Sequence, residues 1–560
     1  MRWQIFTSPL GLAVLVTLAN AAKPVTVDDT AYLTFARHIA SHPLDPYGFS
    51  IFWYAQPDAA MEILAPPVVL YWLALGMRLG GENIILLKLW LFPFVWLCAW
   101  SLNALLRRFA RGSESFVLPL LMFSPAVLPT VNLMLDVPAV ALALASVELF
   151  IRAATRASWR LALFAGLVAA LAMQTKYTAF VVPAAIVWFG VTHRRLALGI
   201  AASSVAVAAF VGWELLLVAK YDRSHFWVNA MSATSSGGTL LNSVWGKLEL
   251  APMLAGPLGC LAAGVGLLAI SVLRIRRQKL VITACVWACG FVLVAILPHR
   301  WLVIHQYLSV TTVFWQLAGA LWLFASLCCA CALVFRMRKG LSVRRNADTA
   351  FLVGWLLIEI GAALAITPFP AARRVIGVAL VMGLIVARAV SRIGRCDPNR
   401  RPPRWVVALG IAAGVSVAAI DTLDAFPEKW CAEQAANATR DRPANSTVWY
   451  VGHWGFQYYC EAAGMQPLIA KQTTAKAGDF VVLPVYPDEV GFHRPYAGFD
   501  VVHPPWWMAE EVAEFSWDDW LSAKTVPNFY GGLEPVVGRD HPRLRVRVYR
   551  LKRDWMMVGK

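Results

Sequence analysis

The chain has 560 residues, is 59% hydrophobic, and carries a mean hydropathy of +0.58 and a formal net charge of +17. Its apolar residues fall in repeated runs of about 17–25, which excludes an ordinary soluble enzyme and predicts a polytopic membrane protein. The basic residues cluster in short segments between those runs, while the chain from Asp424 onward is close to neutral, so the charge speaks for membrane orientation and against nucleic-acid binding.

Arg2, an apolar run and Ala19-Asn20-Ala21 resemble a cleavable signal peptide. The run from Trp3 to Ala21 is nevertheless long enough to span, and it is read as a retained first helix with a cytoplasmic N-terminus. The stretch 22–82 is then external. It holds Asp28, Asp29, Tyr32, Arg37, His38, His42, Asp45 and Tyr47, and residues 30–39 can form an amphipathic helix with Tyr32, Phe35 and Ile39 on one face. Residues 63–81 look like a span. If they crossed, most later Arg clusters would face outward, so they are read as an interfacial helix opened by Pro66-Pro67.

Further spans are expected at 84–106, 115–131, 137–151, 161–175, 178–192, 196–219, 252–273, 280–297, 305–335, 349–367, 372–391 and 405–422, giving about 13 transmembrane helices. Loop charge places Arg107, Arg152, Arg194, Arg276, Arg338 and Arg392 inside. Asp136, Lys176, His225, Arg373 and Arg374 then lie outside, together with Asp28 and Asp29.

Residues 424–560 are expected to form an extracytoplasmic α/β domain beyond the transmembrane domain 1–423. Strands are predicted at 447–451, 479–483, 499–502 and 544–549, with a helix near 454–463. Trp506, Trp507, Trp517 and Trp520 can bind sugar faces or anchor at the lipid interface, with core packing the favoured role. Of ten cysteines, eight belong to the membrane part; Cys431 and Cys460 could form one disulfide if the tail is exported.

An acidic pair followed by Tyr in the first external loop, a Pro-led interfacial helix, Asp136-Val-Pro138, Thr175-Lys176-Tyr177, and the segment 220–227 occur in this order. The layout resembles the GT-C glycosyltransferases, and within them the protein O-mannosyltransferases and the aminoarabinose transferase that modifies lipid A. Arg373-Arg374 resembles the Arg-Tyr position of that group near a late helix. The second acid of the pair is Asp29 where Glu is common, and Ala65 precedes Pro66 where the aminoarabinose branch has Lys. The resemblance implies a polyprenyl-phosphate-linked sugar donor, dolichyl or undecaprenyl, and a lipid, glycan or protein acceptor. It implies Asp28 and Asp136 as the catalytic acids, and Asp29 and Tyr32 beside them.

The chemistry of the residues agrees. An acceptor hydroxyl must lose its proton, which suits a carboxylate at the lipid boundary, and Asp28 is the candidate base; its alternative role is an N-cap for the helix that follows. Lys176, Arg373 and Arg374 are candidates to hold the donor phosphate, with headgroup snorkelling as the alternative. His225 is expected at the acceptor mouth. No cofactor is required by the sequence, although a divalent cation is compatible with it, and His38, His42 and Asp45 are the residues that could share one. The expected localisation is a bacterial inner membrane. The alternative function is a transporter, flippase or polymerase for lipid-linked glycans.

Overall fold

The computed structural model describes residues 8–53, 56–236, 244–273, 275–305, 308–337, 343–367, 369–396, 402–485, 503–539 and 542–557. Among the described residues, eight helices are long and apolar enough to cross a bilayer: Ile84–Phe109, Asp136–Arg156, Leu196–Tyr221, Arg277–Ile296, Val310–Phe335, Asn346–Ile366, Ile376–Ile393 and Arg404–Ala438. Shorter apolar helices cover Pro9–Ala21, Pro67–Gly80, Trp159–Met173 and Tyr177–Thr192. The protein is a multi-pass helical membrane protein with a strand-containing domain at its C-terminal end.

Two expected spans differ. The expected helix 115–131 stops at Met122 and resumes only as a 3-10 turn, Leu128–Thr130. Pro125 and Pro129 remove backbone donors there, and Ser124 turns its hydroxyl onto the Leu121 carbonyl. The expected helix 252–273 is bent by 84° between Leu250–Leu261 and Ala263–Val272. The bend is packed tightly: Trp322 Nε1 donates to the Gly259 carbonyl, and a Cβ on Gly266 would run into the Trp322 ring.

Pro67–Gly80 is 14 residues long, about 21 Å, which is short of the hydrocarbon thickness. It packs against the amphipathic helix Asp29–Ser41, whose Tyr32, Phe35 and Ile39 are buried. The last long helix, Arg404–Ala438, runs unbroken through residue 424 and inserts Cys431, Ala432 and Ala435 into the core of the C-terminal domain. That domain is built on a five-stranded sheet in the order Gln466–Pro467, Val448–Tyr450, Phe480–Val485, Leu544–Leu551, Ala509–Trp517. The first two pairings are parallel and the last two antiparallel. The expected strand 499–502 lies outside the described residues.

The edge strand Ala509–Trp517 was not anticipated. Its Glu511 and Glu514 are held by Arg545 and Arg547 of the neighbouring strand, a cross-strand ladder that hydropathy does not reveal. The tryptophans depart from core packing: Trp506 and Trp520 are 86% and 83% exposed and Trp507 is exposed as well, while Trp517 packs on Trp430. Cys431 and Cys460 are both buried as free thiols in one apolar cluster.

The C-terminal domain sits on the first loop. The Thr30 hydroxyl donates to the Trp454 carbonyl (2.6 Å), the Val25 N–H donates to the Tyr459 hydroxyl (2.9 Å), and Gln457 Nε2 donates to the Phe52 carbonyl (2.8 Å). A second seam is a buried network in which Lys23 pairs with Asp421 and donates to the Tyr530 hydroxyl, while Thr525 and Tyr530 also donate to Asp421. The first loop and the C-terminal domain therefore lie on one side of the helical bundle.

Candidate active site

Asp28 is placed by an unusual backbone. Val27, directly before it, has φ of 46°, a left-handed conformation that costs a β-branched residue about 1–3 kcal/mol. Trp454, whose carbonyl receives Thr30, also has a positive φ, 56°. The Thr30–Trp454 bond thus joins two segments that each carry a left-handed residue. Asp28 occupies the N-cap position of Asp29–Ser41, yet its side chain makes no capping bond. Its carboxylate is instead ion-paired with Arg373.

Arg373 and Arg374 lie on a 3-10 turn, Ala372–Arg374, just before the span Ile376–Ile393. Ala371 and Ala372 are fully buried, which seats the turn between helices and leaves both guanidinium groups largely enclosed. Burial works against the charge of Arg373, but Asp28 and Asp136 outweigh it and hold the group above the ordinary arginine value. Arg374 has the opposite balance: burial, with the Arg373 charge alongside, pushes it down to about 10. Arg374 lies 5.1 Å from the centre of the Phe369 ring, and among the described residues no carboxylate pairs with it. The Nε atoms of both arginines are buried without a hydrogen-bond partner among the described residues.

Asp136 opens the helix Asp136–Arg156 and is ion-paired with Lys176, which stands in extended backbone just after Trp159–Met173. Burial pushes Lys176 down to about 8, against the pull of Asp136, and the two arginines add to the fall. Tyr32 is buried within electrostatic reach of Asp28, Arg373, Asp136 and Arg374, and its phenol is pushed well above the ordinary value by burial first and Asp28 second. Six sequence-predicted residues (Asp28, Tyr32, Asp136, Lys176, Arg373 and Arg374) therefore converge.

Two others do not. Asp29 is 0% exposed and faces Lys88 and Lys23 on the far side of its helix; burial pushes its carboxyl up to about 6 despite those cations. His225 is also fully buried. Its Nδ1 shares a hydrogen bond with the Tyr177 hydroxyl (2.6 Å), its Nε2 donates to the Ile63 carbonyl (2.9 Å), and its ring stacks on Tyr47. Burial pushes it down to about 4, so it is a neutral clamp that holds the turn after Lys176 against the first loop. His38 is occupied by the Asp45 carbonyl (2.8 Å) and stacks on Phe49 and His42. Among the described residues, no three His, Cys, Asp or Glu side chains converge as ligands for a metal.

Four of the six converging residues form the head of a cavity of about 840 Å³, including its open mouth, and Asp28 reaches it through Arg373. Asp136, Lys176, Arg373 and Arg374 line one end. From there it runs as an apolar groove between four helices, past Val140 and Leu144, Val182, Ala363 and Ile366, and Leu380. One acid interrupts that wall, Glu359, which sequence reasoning passed over inside the apolar run 351–366. A charged head with a greasy channel beneath it can hold an amphiphile with an anionic headgroup.

The sequence pattern of the dolichyl-phosphate-mannose-protein mannosyltransferase family matches residues 65–217. No curated protein matches the chain in sequence. Solved structures with a related course of the chain include the archaeal oligosaccharyltransferase AglB from Archaeoglobus fulgidus, in complex with an inhibitory peptide and a dolichol-phosphate. It is 12% identical with a TM-score of 0.47, covering 82% of this chain and 64% of that one, so the chain spans under two thirds of its length. ArnT from Cupriavidus metallidurans, bound to undecaprenyl phosphate, is 14% identical with a TM-score of 0.40, covering 86% of this chain and 93% of that one. The chain thus carries, over residues 65–217, the pattern of the dolichyl-phosphate-mannose-protein mannosyltransferases.

Proposed function

We propose that the protein is a membrane glycosyltransferase that moves a sugar from a polyprenyl-phosphate carrier to a hydroxyl or phosphate of a lipid, glycan or protein acceptor on the external face of a bacterial inner membrane. One observation carries this reading: Lys176, Arg373, Arg374 and Asp136, from distant parts of the chain, meet at the head of an apolar groove, with Asp28 ion-paired to Arg373 beside them. Lys176, Arg373 and Arg374 exceed Asp28 and Asp136 by one charge. A phosphodiester-linked sugar carries one negative charge and balances the cluster. A polyprenyl chain fits the groove below. ArnT bound to undecaprenyl phosphate and AglB with a dolichol-phosphate are similar chains holding such carriers.

In this mechanism Arg374 receives the donor phosphate first, because it has no carboxylate to give up. The phosphate then draws Arg373 away from Asp28 and leaves that carboxylate available to the acceptor. The acceptor O–H gives its proton to Asp28 as its oxygen bonds to the anomeric carbon. The bond from that carbon to the phosphate oxygen breaks, and its electron pair leaves with the carrier phosphate. The added negative charge develops among Arg373, Arg374 and Lys176, which are fixed in a water-poor site before the reaction begins. Asp136 keeps Lys176 charged and aimed, and it lies where it can meet the sugar.

The test is mass spectrometry of envelope glycans, glycolipids and glycoproteins from cells with and without the protein, with the deletion complemented by the wild type or by Asp28→Asn. A sugar modification that disappears on deletion and returns only with the wild type is the expected result. Unchanged glycans in the deletion strain would overturn the proposal.

A further inference from the structure

Glu359 is an acid inside the apolar part of the groove. It lies on the span Asn346–Ile366, seven residues from the end at Ile366, so it sits roughly 10 Å down the helix from the polar head. It lines the same cavity as Asp136, Lys176, Arg373 and Arg374. Its Oε1 accepts from the Trp355 indole N–H (3.0 Å), and its other oxygen lies so close to Gly377 that a Cβ there would collide with it. The ionisable groups that face the groove with it are those four at the head; the walls around it are Ala362, Ala363, Leu380 and Val381. An acid facing an apolar groove between membrane-spanning helices is costly to keep and is a functional candidate by default.

Resting on the carrier reading above, we propose that Glu359 is a binding residue for the polyprenyl tail, and that the carrier seats only when this carboxyl holds a proton. In the empty groove water can reach an ionised carboxylate. A hydrocarbon chain laid over it removes that water and supplies no counter-ion. An ionised acid would then be buried with one indole N–H as its hydrogen-bond donor, which costs several kcal/mol, whereas a neutral carboxyl keeps the Trp355 bond and meets the chain at little cost. Carrier binding therefore takes up one proton from solvent at Glu359, and carrier release returns it. The head cations are unaffected in number, so this coupling adds to the charge matching at the phosphate.

The experiment measures binding of undecaprenyl phosphate to the purified full-length protein in detergent, wild type and Glu359→Gln, from pH 5.5 to 9. Glutamine keeps the acceptor for Trp355 and the side-chain volume, so the fold is retained. Titration of the phosphate and of Lys176 is common to both proteins and cancels in the ratio of their dissociation constants. The expected result is a ratio that grows with pH, by roughly tenfold per pH unit above the pH at which the carboxyl ionises in the empty groove, as one proton is linked to binding. A ratio independent of pH, with both proteins binding, overturns the inference and leaves the carrier reading standing. Failure of both proteins to bind undecaprenyl phosphate at any pH overturns the carrier reading, and this inference with it.

Discussion

Arg374 and Arg373 are neighbours with opposite balances of stability and binding, and replacing each by Gln separates them. At neutral pH Arg374 is a buried cation beside another cation. Its fall from the ordinary 12.5 to about 10 corresponds to roughly 1–3 kcal/mol of work against folding, once lipid and solvent screening are allowed for. Removing the charge should leave thermal stability unchanged or raise it by a few degrees. The same change removes a charge-assisted contact to the carrier phosphate worth about 1.5–3 kcal/mol, so undecaprenyl phosphate should bind roughly 10- to 150-fold more weakly. Arg373→Gln should instead lose stability, because it leaves Asp28 in a largely enclosed site without its partner, a loss of about 3–5 kcal/mol for a buried pair and less at this partial exposure. The assays are thermal unfolding in detergent without lipid, and titration with undecaprenyl phosphate. Arg374→Gln that binds the lipid as tightly as the wild type, or that loses as much stability as Arg373→Gln, would refute the reasoning.

Asp28→Asn should reduce sugar transfer about 10²- to 10⁴-fold, as expected for loss of a general base, while lipid binding and protein abundance persist in the same preparations. Lys176 is an ammonium below about pH 8 and an amine above it, so undecaprenyl phosphate binding should weaken as pH rises through about 8. Lys176→Arg should carry that limb to much higher pH in the same titration. Because the folded value lies below the unfolded 10.5, lipid-free stability should rise between pH about 8 and 10.5, where the unfolded chain still holds the proton; unfolding curves across that range check this. His225→Ala should lower the melting temperature through loss of the Tyr177 and Ile63 bonds, about 1–3 kcal/mol, with no selective effect on lipid affinity in the protein that remains folded.

Much of the architecture was legible in the order of residues. Long apolar runs must be helices in lipid, because no other element satisfies its own backbone there, and Arg clusters fix which ends share a side. Two signals stand out against that background: Asp28 and Asp136 are carboxylates beside apolar runs, and Lys176, Arg373 and Arg374 are bases expected on the side that holds few. Glu359 carried the same signal, a lone acid in the apolar run 351–366, and could have been found by it.

What the chain order could not decide is direction and proximity. Asp28 and Asp29 are chemically alike, yet successive positions on a helix point about 100° apart, and only the packing of Asp29–Ser41 against Pro67–Gly80 and the C-terminal domain turns one acid to Arg373 and the other to Lys88. His225 has the composition of a site residue, and its neighbours Tyr177, Tyr47 and Ile63 make it a clamp. The groove draws its walls from four helices, with lining residues as far apart in the chain as Val140 and Val381, so it has no local signature. Composition and periodicity set what each segment must be; the site itself depends on long-range contacts, which residue spacing does not encode.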